Sequence, residues 1–157
     1  MSHAHVNDEV KAYLSLYLEG QTEIRRMRAR IKELEAQACA TTKPLTGMPR
    51  GGGADEGRLL AILADAKTEF TDTMWRLLRR EKEIEDFIAS LQTMESRVIL
   101  KLRYLEGMSW NMINQEFEAL GKWVTDRQLY RMHGKALAEA REEYNKRRTE
   151  NDKRADT

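Results

Sequence analysis

The chain of 157 residues is 41% hydrophobic and 34% charged, so it is long enough for one domain or two small units and apolar enough to bury a core. Its 27 Lys and Arg nearly cancel 26 Asp and Glu, leaving a formal net charge of +1, so any sign of a charged partner must be local. No apolar run approaches the roughly 18 residues of a membrane span, and the single cysteine, Cys39, excludes an intramolecular disulfide and a zinc finger.

One short stretch separates two long helix-forming segments. Both prolines and five of the nine glycines fall within residues 41–57, a concentration that is typical of a loop. On either side helix-forming residues dominate, and β-branched residues do not alternate with polar ones as they would in strands. The sequence therefore predicts an all-α fold.

The segments before and after this loop carry apolar residues in steps of three and four, the spacing of one helix face in a coiled coil. The first stripe is Val10, Tyr13, Tyr17, Gly20, Ile24, Met27, Ile31, Leu34 and Ala38, and the second is Leu59, Leu63, Ala66, Phe70, Thr73, Leu77, Arg80, Ile84, Phe87 and Leu91. Two such helices cannot leave their stripes in water, so residues 6–93 are predicted to form an antiparallel hairpin that also serves oligomerisation. An extended parallel dimer is the alternative.

Residues 94–148 form a second predicted unit, because short helices with their own stop signals replace the long stripe. Gly107 is placed to end the first of these helices in a left-handed conformation, and Gly121 to end the second. Ser109 and Thr125 precede the next two helices and supply hydroxyls of the kind that cap free N–H groups. We therefore expect three helices, each bounded by a capping signal.

The apolar residues of this second unit repeat at helical spacing and define its predicted core. They are Val98, Ile99, Leu102, Leu105, Trp110, Ile113, Phe117, Leu129, Met132, Ala136, Leu137 and Ala140. The last residues, 149–157, mix charges of both signs, which is typical of a disordered tail.

The last helix, which begins near Asp126, carries basic residues on the side opposite its predicted core. Residues 122–148 hold eight basic residues against four acidic ones. A short helix, a turn and a helix with Arg and Gln near its start are typical of a helix-turn-helix, in which Arg pairs with guanine, Gln with adenine and Lys with phosphate. The alternative is an ordinary solvated helix face. The candidate DNA-binding residues are Lys122, Arg127, Gln128, Tyr130, Arg131 and Lys135.

A resemblance to a known family favours the first interpretation. The stretch RVILKLRYLEGMSWNMI, followed by TDRQLYRMHGKAL, resembles the helix-turn-helix of sigma-factor region 4. It resembles more closely the phage-encoded transcriptional regulators related to the ArpU and RinA families, which share an "LRY..G.SW..I" segment and an "R..Y...G.AL" recognition helix. Residues 48–53 resemble the Met-Pro and glycine-rich linker of such regulators. The resemblance covers residues 97–137 and this linker, and it implies a DNA-binding protein.

The turn before the last helix departs from the sigma-like pattern. In that pattern a turn of about three to four residues joins the second and third helices, whereas EALGKWVTD adds about five residues here. The match of Arg127 and Gln128 to the family therefore concerns a helix face and gives no base-by-base code. We expect Trp123 and Val124 to pack this longer turn onto the core.

Other chemistries find little support in the sequence. The glycine run lacks the Gly-Lys-Ser/Thr of a P-loop, and His3 and His5 have no carboxylate or cysteine cluster beside them to complete a metal site. His133 has no Ser or Cys nucleophile obviously paired with it, so partial burial or a phosphate contact is its expected role. We expect no enzyme, no metal and no cofactor.

The sequence thus predicts a sequence-specific DNA-binding transcriptional regulator of phage or prophage genes, acting in the cytoplasm of the bacterial host. Its expected partners are double-stranded DNA and further copies of itself, with a dimer favoured, and no membrane. Two alternatives stay open. One is a DNA-packaging adaptor of the small-terminase type, which would form a ring, and the other is a sigma-like module that binds RNA polymerase.

Overall fold

A computed structural model describes residues 7–41 and 53–155, and the all-α prediction is confirmed because no strand occurs in these ranges. The two long helices are α1 (Asp8–Thr41) and α2 (Gly53–Ala89). Three further helices follow, α3 (Met94–Leu100), α4 (Trp110–Ala119) and α5 (Asp126–Ala155), and a π-helical turn, Lys101–Leu105, continues α3. Among the described residues, no helix is both long and apolar enough to cross a bilayer.

The connection between α1 and α2 is shorter than the predicted loop, 41–57. Thr41 still belongs to α1, and residues 53–57 already belong to α2. Asp55 and Glu56 lie in the first turn of α2, where the helix dipole favours negative charge and offsets part of the cost of a helical glycine, about 1 kcal/mol. Both prolines and most of the glycine-rich linker, residues 42–52, lie outside the described residues.

The chain divides into two compact units. The hairpin unit is Glu19–Arg79, and the terminal unit joins Met1–Leu18 to Arg80–Thr157. This division differs from the boundary between residues 93 and 94 that the sequence pattern suggests. The reason is that the start of α1 and the end of α2 share a core with the short helices, where Leu14 and Phe87 are fully buried.

In the hairpin unit, α1 and α2 run antiparallel within one chain, as the apolar stripes predict. Lys67 Nζ lies 2.8 Å from Glu35 Oε1, and Leu77 lies against Gly20 at the other end of the unit. The Leu77 side chain occupies the space that a Cβ on Gly20 would fill. The gap that Gly20 leaves in the first stripe is therefore filled by Leu77 of the second stripe.

The terminal unit encloses the largest fully buried side chains. They are Val10, Leu14, Ile84, Phe87, Ile99, Leu100, Ile113 and Leu129. Tyr13 packs edge-on against Phe87 and is tilted against Tyr144, with ring centres 5.3 Å apart in both pairs. The predicted inward residues of α4 and α5 are confirmed as buried, except that Trp110 and Met132 are half-buried. Side chains from both ends of the chain thus close one core.

The segment Lys101–Leu105 that continues α3 is a π-helical turn and not the regular α-helix that the sequence predicts. The Glu106 N–H donates to the carbonyl of Lys101, five residues earlier, at 3.1 Å, which is the spacing of a π-helix. The additional residue in this turn changes which side chains face inward. Tyr104 is buried, whereas Leu102 and Leu105, both predicted to face the core, are only half-buried.

The last helix extends into the predicted tail. α5 runs to Ala155, so residues 149–155 are helical and exposed, and residues 156–157 lie outside the described part. This stretch contains no proline or glycine to end the helix. Thr149 Oγ1 also donates to the carbonyl of Asn145, one turn earlier, at 2.9 Å. The mixed charges that indicate disorder in the sequence are thus compatible with a solvated helix.

Candidate nucleic-acid interface

Two predicted signals fix the start of α4. Gly107 has a φ of 66°, the left-handed conformation expected of a residue that ends a helix, and a Cβ at this position would lie 3.2 Å from Leu18 Cδ2. Ser109 is the N-cap of α4, and its hydroxyl accepts from the Met112 N–H at 3.3 Å. Arg103 Nη1 donates to the carbonyl of Met108 at 2.8 Å and so links the loop to the π-helical turn.

The end of α4 forms a Schellman motif, as Gly121 predicts. Gly121 has a φ of 78°, and its N–H donates to the carbonyl of Glu118 at 2.9 Å. The Lys122 N–H donates to the carbonyl of Phe117 at 2.8 Å, which completes the motif. The turn then continues to Thr125, so residues 120–125 separate α4 from α5. This turn is nearly twice as long as the about three to four residues typical of a helix-turn-helix.

A capping box starts α5. The N–H and hydroxyl of Thr125 both donate to Gln128 Oε1 at 2.9 Å, and the Gln128 N–H lies 3.3 Å from Thr125 Oγ1. This is the reciprocal Thr-x-x-Gln arrangement that satisfies free donors at a helix start. The sequence predicts Thr125 as the cap but assigns Gln128 to base reading. A bidentate contact with adenine needs Oε1 as an acceptor, and Thr125 already occupies that atom.

The six candidate residues all lie exposed on α5 or the turn before it. Four of them are cations, and none of the four forms an ion pair or a side-chain hydrogen bond with another residue in the described ranges. They are Lys122, Arg127, Arg131 and Lys135. Two arginines further along α5 are paired instead, Arg147 with Glu143 at 2.7 Å and Arg148 with Glu9 at 3.5 Å. The start of α5 therefore presents four cations that form no ion pair within the described chain.

Tyr130 lies on this face in contact with the Trp110 ring. Its ring centre lies 5.2 Å from that of Trp110 in an edge-to-face arrangement, and the Arg103 guanidinium lies 4.8 Å from the Trp110 ring centre on a cation–π contact. Trp110 is the first residue of α4, so these two contacts join the π-helical turn, α4 and α5. The contact restricts Tyr130 while more than half of its surface stays exposed.

His133 lies behind this face and carries no charge near neutral pH. Burial lowers its pKa to about 4, and the positive charges of Lys11 and Arg103 act in the same direction. Its ring packs edge-on against Trp110 with centres 4.8 Å apart. The prediction of partial burial is confirmed. A neutral imidazole adds no charge to the basic face.

Gly134 lies on this face of α5, and the sequence pattern assigns it no role. It is an exposed residue in the interior of α5, and a Cβ built on it would have no atom within 4 Å. Glycine in a helix interior costs about 0.5–1 kcal/mol relative to alanine, and no contact within the described chain requires it here. It follows Tyr130 and Arg131 by one helical turn, so it lies on the same side as they do.

The apolar residues of the α4–α5 turn contradict one expectation. Trp123 is 81% exposed and Leu120 is 73% exposed, so Trp123 does not pack onto the core, and only Val124 is half-buried. The reason is local, because the Schellman motif at Gly121 redirects the chain directly after α4. A groove of about 320 Å³ begins at Trp123 and continues along α5 to Lys135.

Comparisons with protein-family models, curated proteins and solved structures found no match to this chain. Among the described residues there is also no cluster of three or more His, Cys, Asp or Glu side chains that could hold a metal ion. His3 and His5 lie outside the described residues.

Proposed function

We propose that this chain is a sequence-specific DNA-binding regulator of phage or prophage transcription, which reads duplex DNA with α5 and has no catalytic role. The observation that carries the proposal is the set of four exposed cations without counter-ions at the start of α5. Such cations favour a polyanion, because each phosphate contact releases condensed counter-ions from DNA. The resemblance to the ArpU- and RinA-related regulators supports the same conclusion.

The arrangement of α4 and α5 supports a duplex as the partner. A capped helix whose first turns are basic has the form of a recognition helix, with Arg127 and Arg131 one turn apart on the exposed side. Arginine is suited to guanine because its guanidinium offers two parallel donors. Gln128 serves as a cap in this proposal, so the base contacts fall to the arginines and Tyr130, with Lys122 and Lys135 on phosphates.

A dimer is proposed as the active form. Four large apolar residues of α2 are exposed on the hairpin unit, and their burial would favour self-association. They are Leu60, Ile62, Trp75 and Leu78. Two copies would present two recognition helices to half-sites about one DNA turn apart, roughly 34 Å. The proposed place of action is the cytoplasm of the bacterial host.

The test is a binding titration at two salt concentrations. Fluorescently labelled DNA from the protein's own upstream region is compared with an unrelated duplex of equal length. About four to six phosphate contacts predict a loss of two to three decades in affinity between about 50 and 200 mM salt. The Arg127→Ala/Arg131→Ala variant is expected to lose the preference for the upstream DNA and to show a shallower salt dependence.

The matched control is Arg26→Ala/Arg30→Ala. These two arginines are also exposed and four residues apart on a helix, so this control removes the same charge with the same spacing, together with the exposed ion pair of Arg30 with Glu33 at 3.4 Å. We expect it to bind the upstream DNA as the wild type does. Equal binding of wild type to both duplexes, or no binding to either, would contradict the proposal. A ring of eight or more copies in native mass spectrometry would then favour the packaging adaptor, and co-purification with RNA polymerase the sigma-like module.

A further inference from the structure

The turn between α4 and α5 exposes an indole beside the basic face. Trp123 is 81% exposed, the highest exposure of any large hydrophobic residue in the described ranges. It lines a groove together with Lys122, Arg131 and Lys135, three of the four unpaired cations. The groove thus combines a flat apolar surface with positive charge, and its far end is part of the α5 face.

No ring contact within the described fold requires a tryptophan at this position. Trp110, by contrast, is half-buried and contacts Arg103, Tyr130 and His133. No ring stack or cation–π contact within the described chain involves Trp123. An exposed indole costs hydration free energy that burial against a partner would recover.

The chemistry of the groove indicates a nucleobase as the occupant. Aromatic side chains inside basic grooves stack on bases, while the neighbouring cations follow the phosphates. Glu95 also lines the groove, and its carboxylate accepts hydrogen bonds from an N–H group of an unpaired base, such as N3–H of thymine, whereas the carboxylates of an acidic peptide offer it no donor. Cations with one carboxylate and an indole therefore fit a base attached to phosphates better than they fit an acidic protein segment.

We propose that Trp123 stacks on an unpaired base next to the duplex that α5 binds. An unpaired base is preferred because inserting a side chain between paired bases costs unstacking free energy, whereas an unpaired base already exposes its face. This inference rests on the proposed function and extends it, since it assigns to the same interface a preference for DNA with a locally open strand. The continuity of the groove with Arg131 and Lys135 connects the two contacts.

Two duplexes test the preference. A blunt duplex of about 20 base pairs is compared with the same duplex carrying about five unpaired thymidines at one end, a length within the range of one single-strand site. We expect the tail to raise the affinity of wild type about 5- to 100-fold. Trp123→Leu should lose this increase, because leucine is apolar but has no ring, and Trp123→Phe should retain most of it. Circular dichroism confirms that the variants keep their helix content.

Tryptophan fluorescence reports the contact directly. The chain has three tryptophans, so Trp75→Phe/Trp110→Phe leaves Trp123 as the only indole. We expect the tailed duplex to quench its emission, because stacking on a base brings the two rings into contact. Heparin and polyglutamate, which carry negative charge without bases, should leave the emission nearly unchanged. Equal quenching by either polymer would overturn the inference, because the groove would then respond to charge alone.

The outcomes separate this inference from the proposed function. If wild type binds the blunt duplex and loses that binding in Arg127→Ala/Arg131→Ala, while the tail adds no affinity, the proposed function stands and the stacking is refuted. If no duplex is bound but an oligothymidine quenches Trp123, the stacking stands and the duplex-reading function is refuted. If neither the duplexes nor the oligothymidine are bound, both are refuted.

Discussion

The hydroxyl oxygen of Tyr104 lies 3.1 Å from Nε2 of His133, and the two rings are stacked with their centres 5.9 Å apart. This contact joins the π-helical turn to α5. Burial lowers the pKa of His133 from 6.5 to about 4, with the positive charges of Lys11 and Arg103 acting in the same direction. Burial also raises the pKa of Tyr104. Both side chains are therefore neutral at pH 7.

We expect the protein to lose stability as the pH falls from 6.5 to about 4. In the unfolded chain His133 takes up a proton near its ordinary pKa, whereas in the folded chain it does so only near the lower value, so protons favour unfolding within this window. Above pH 6.5 the contribution is constant. Because His133 is partly exposed, the loss is on the order of 2 kcal/mol. Urea unfolding curves across the window measure it.

His133→Gln is the control for this measurement. The amide does not titrate, and it keeps a hydrogen-bonding group near Tyr104. Carboxylates titrate in both proteins. Burial would raise the pKa of Glu139, for example, but hydrogen bonds from Thr93 and Ser96 lower it below its usual value. The difference between the two stability curves therefore isolates His133, and parallel curves between pH 6.5 and 5 would refute the prediction.

The capping box at the start of α5 predicts a stability role for Gln128. Gln128→Ala removes the acceptor of two Thr125 donors, so we expect a loss of about 1 kcal/mol in the free energy of unfolding. Gln128→Glu keeps an acceptor at the same position and places negative charge at a helix N-terminus, where it is favoured. This variant should be at least as stable as the wild type. Urea unfolding at pH 7 measures both.

A second substitution shows whether the effect comes from the capping box. Thr125→Val removes the hydroxyl that contacts both Oε1 and the N–H of Gln128, while it keeps a side chain of similar size and the backbone N–H that donates to Oε1. If the two residues act together, the combined Thr125→Val/Gln128→Ala variant loses less stability than the sum of the two single variants. Strictly additive losses would show that the two residues act independently. A Gln128→Ala variant as stable as the wild type would show that the capping box does not stabilise α5.

The local features of the fold could be predicted from the sequence because each depends on neighbouring residues. The long helices follow from apolar periodicity, and the ends of α4 follow from Ser109 and Gly121. The Thr125–Gln128 box was also readable, since Thr-x-x-Gln before an apolar run is a known start signal, but the same glutamine fitted a base-reading role. A single sequence does not say which of two uses of one side chain applies.

The features that the sequence missed depend on distant contacts or on the absence of contacts. Tyr13 and Phe87 lie on the two predicted stripes and contact each other, yet they also contact Tyr144 and Arg147 of α5. Periodicity does not specify that the ends of the hairpin helices join a core with a later helix. Tyr104 becomes buried because of one π-helical turn, which shifts the inward face. Trp123 is expected to pack the longer turn onto the core, whereas the structure shows that it is exposed.

The exposed apolar residues of α2 predict which substitutions weaken the dimer. Trp75 is 62% exposed and Leu78 is 46% exposed, and they are neighbours on one side of the helix because they are three residues apart. Burying a large apolar side chain contributes about 1.5–3 kcal/mol, so Trp75→Gln/Leu78→Gln should weaken dimerisation at least tenfold, about 1.4 kcal/mol. Analytical ultracentrifugation over a concentration series measures the dissociation constant.

Glu69→Gln/Asp72→Gln is the matched control for the dimer. These two residues are exposed on the same helix with the same spacing, but they lie about a third of a turn around the helix from Trp75 and Leu78. We expect this control to dimerise as the wild type does. A wild type that stays monomeric at micromolar concentration, with and without DNA, would refute the dimer. Equal weakening by both variants would show that another surface of α2 is involved.

Gly134 predicts opposite changes in stability and DNA affinity. Gly134→Ala should raise the free energy of unfolding by about 0.5–1 kcal/mol, because the residue lies in a helix interior and its Cβ would meet open space. If α5 lies against DNA through Arg127 and Arg131, however, a side chain between the helix and the duplex holds the surfaces apart. Gly134→Ala should then bind DNA more weakly, and Gly134→Leu about tenfold or more weakly.

Gly57→Ala separates the two effects of the Gly134 substitution. Gly57 is also an exposed helical glycine with open space around its Cβ, but it lies in the hairpin unit. The Gly57→Ala variant should therefore gain stability in urea unfolding without any change in DNA affinity in a titration of the upstream duplex. If Gly134→Ala behaves in the same way as Gly57→Ala, the backbone of α5 does not closely approach the DNA. If Gly134→Ala gains stability and loses DNA affinity while Gly57→Ala only gains stability, Gly134 serves the contact with DNA and not the fold.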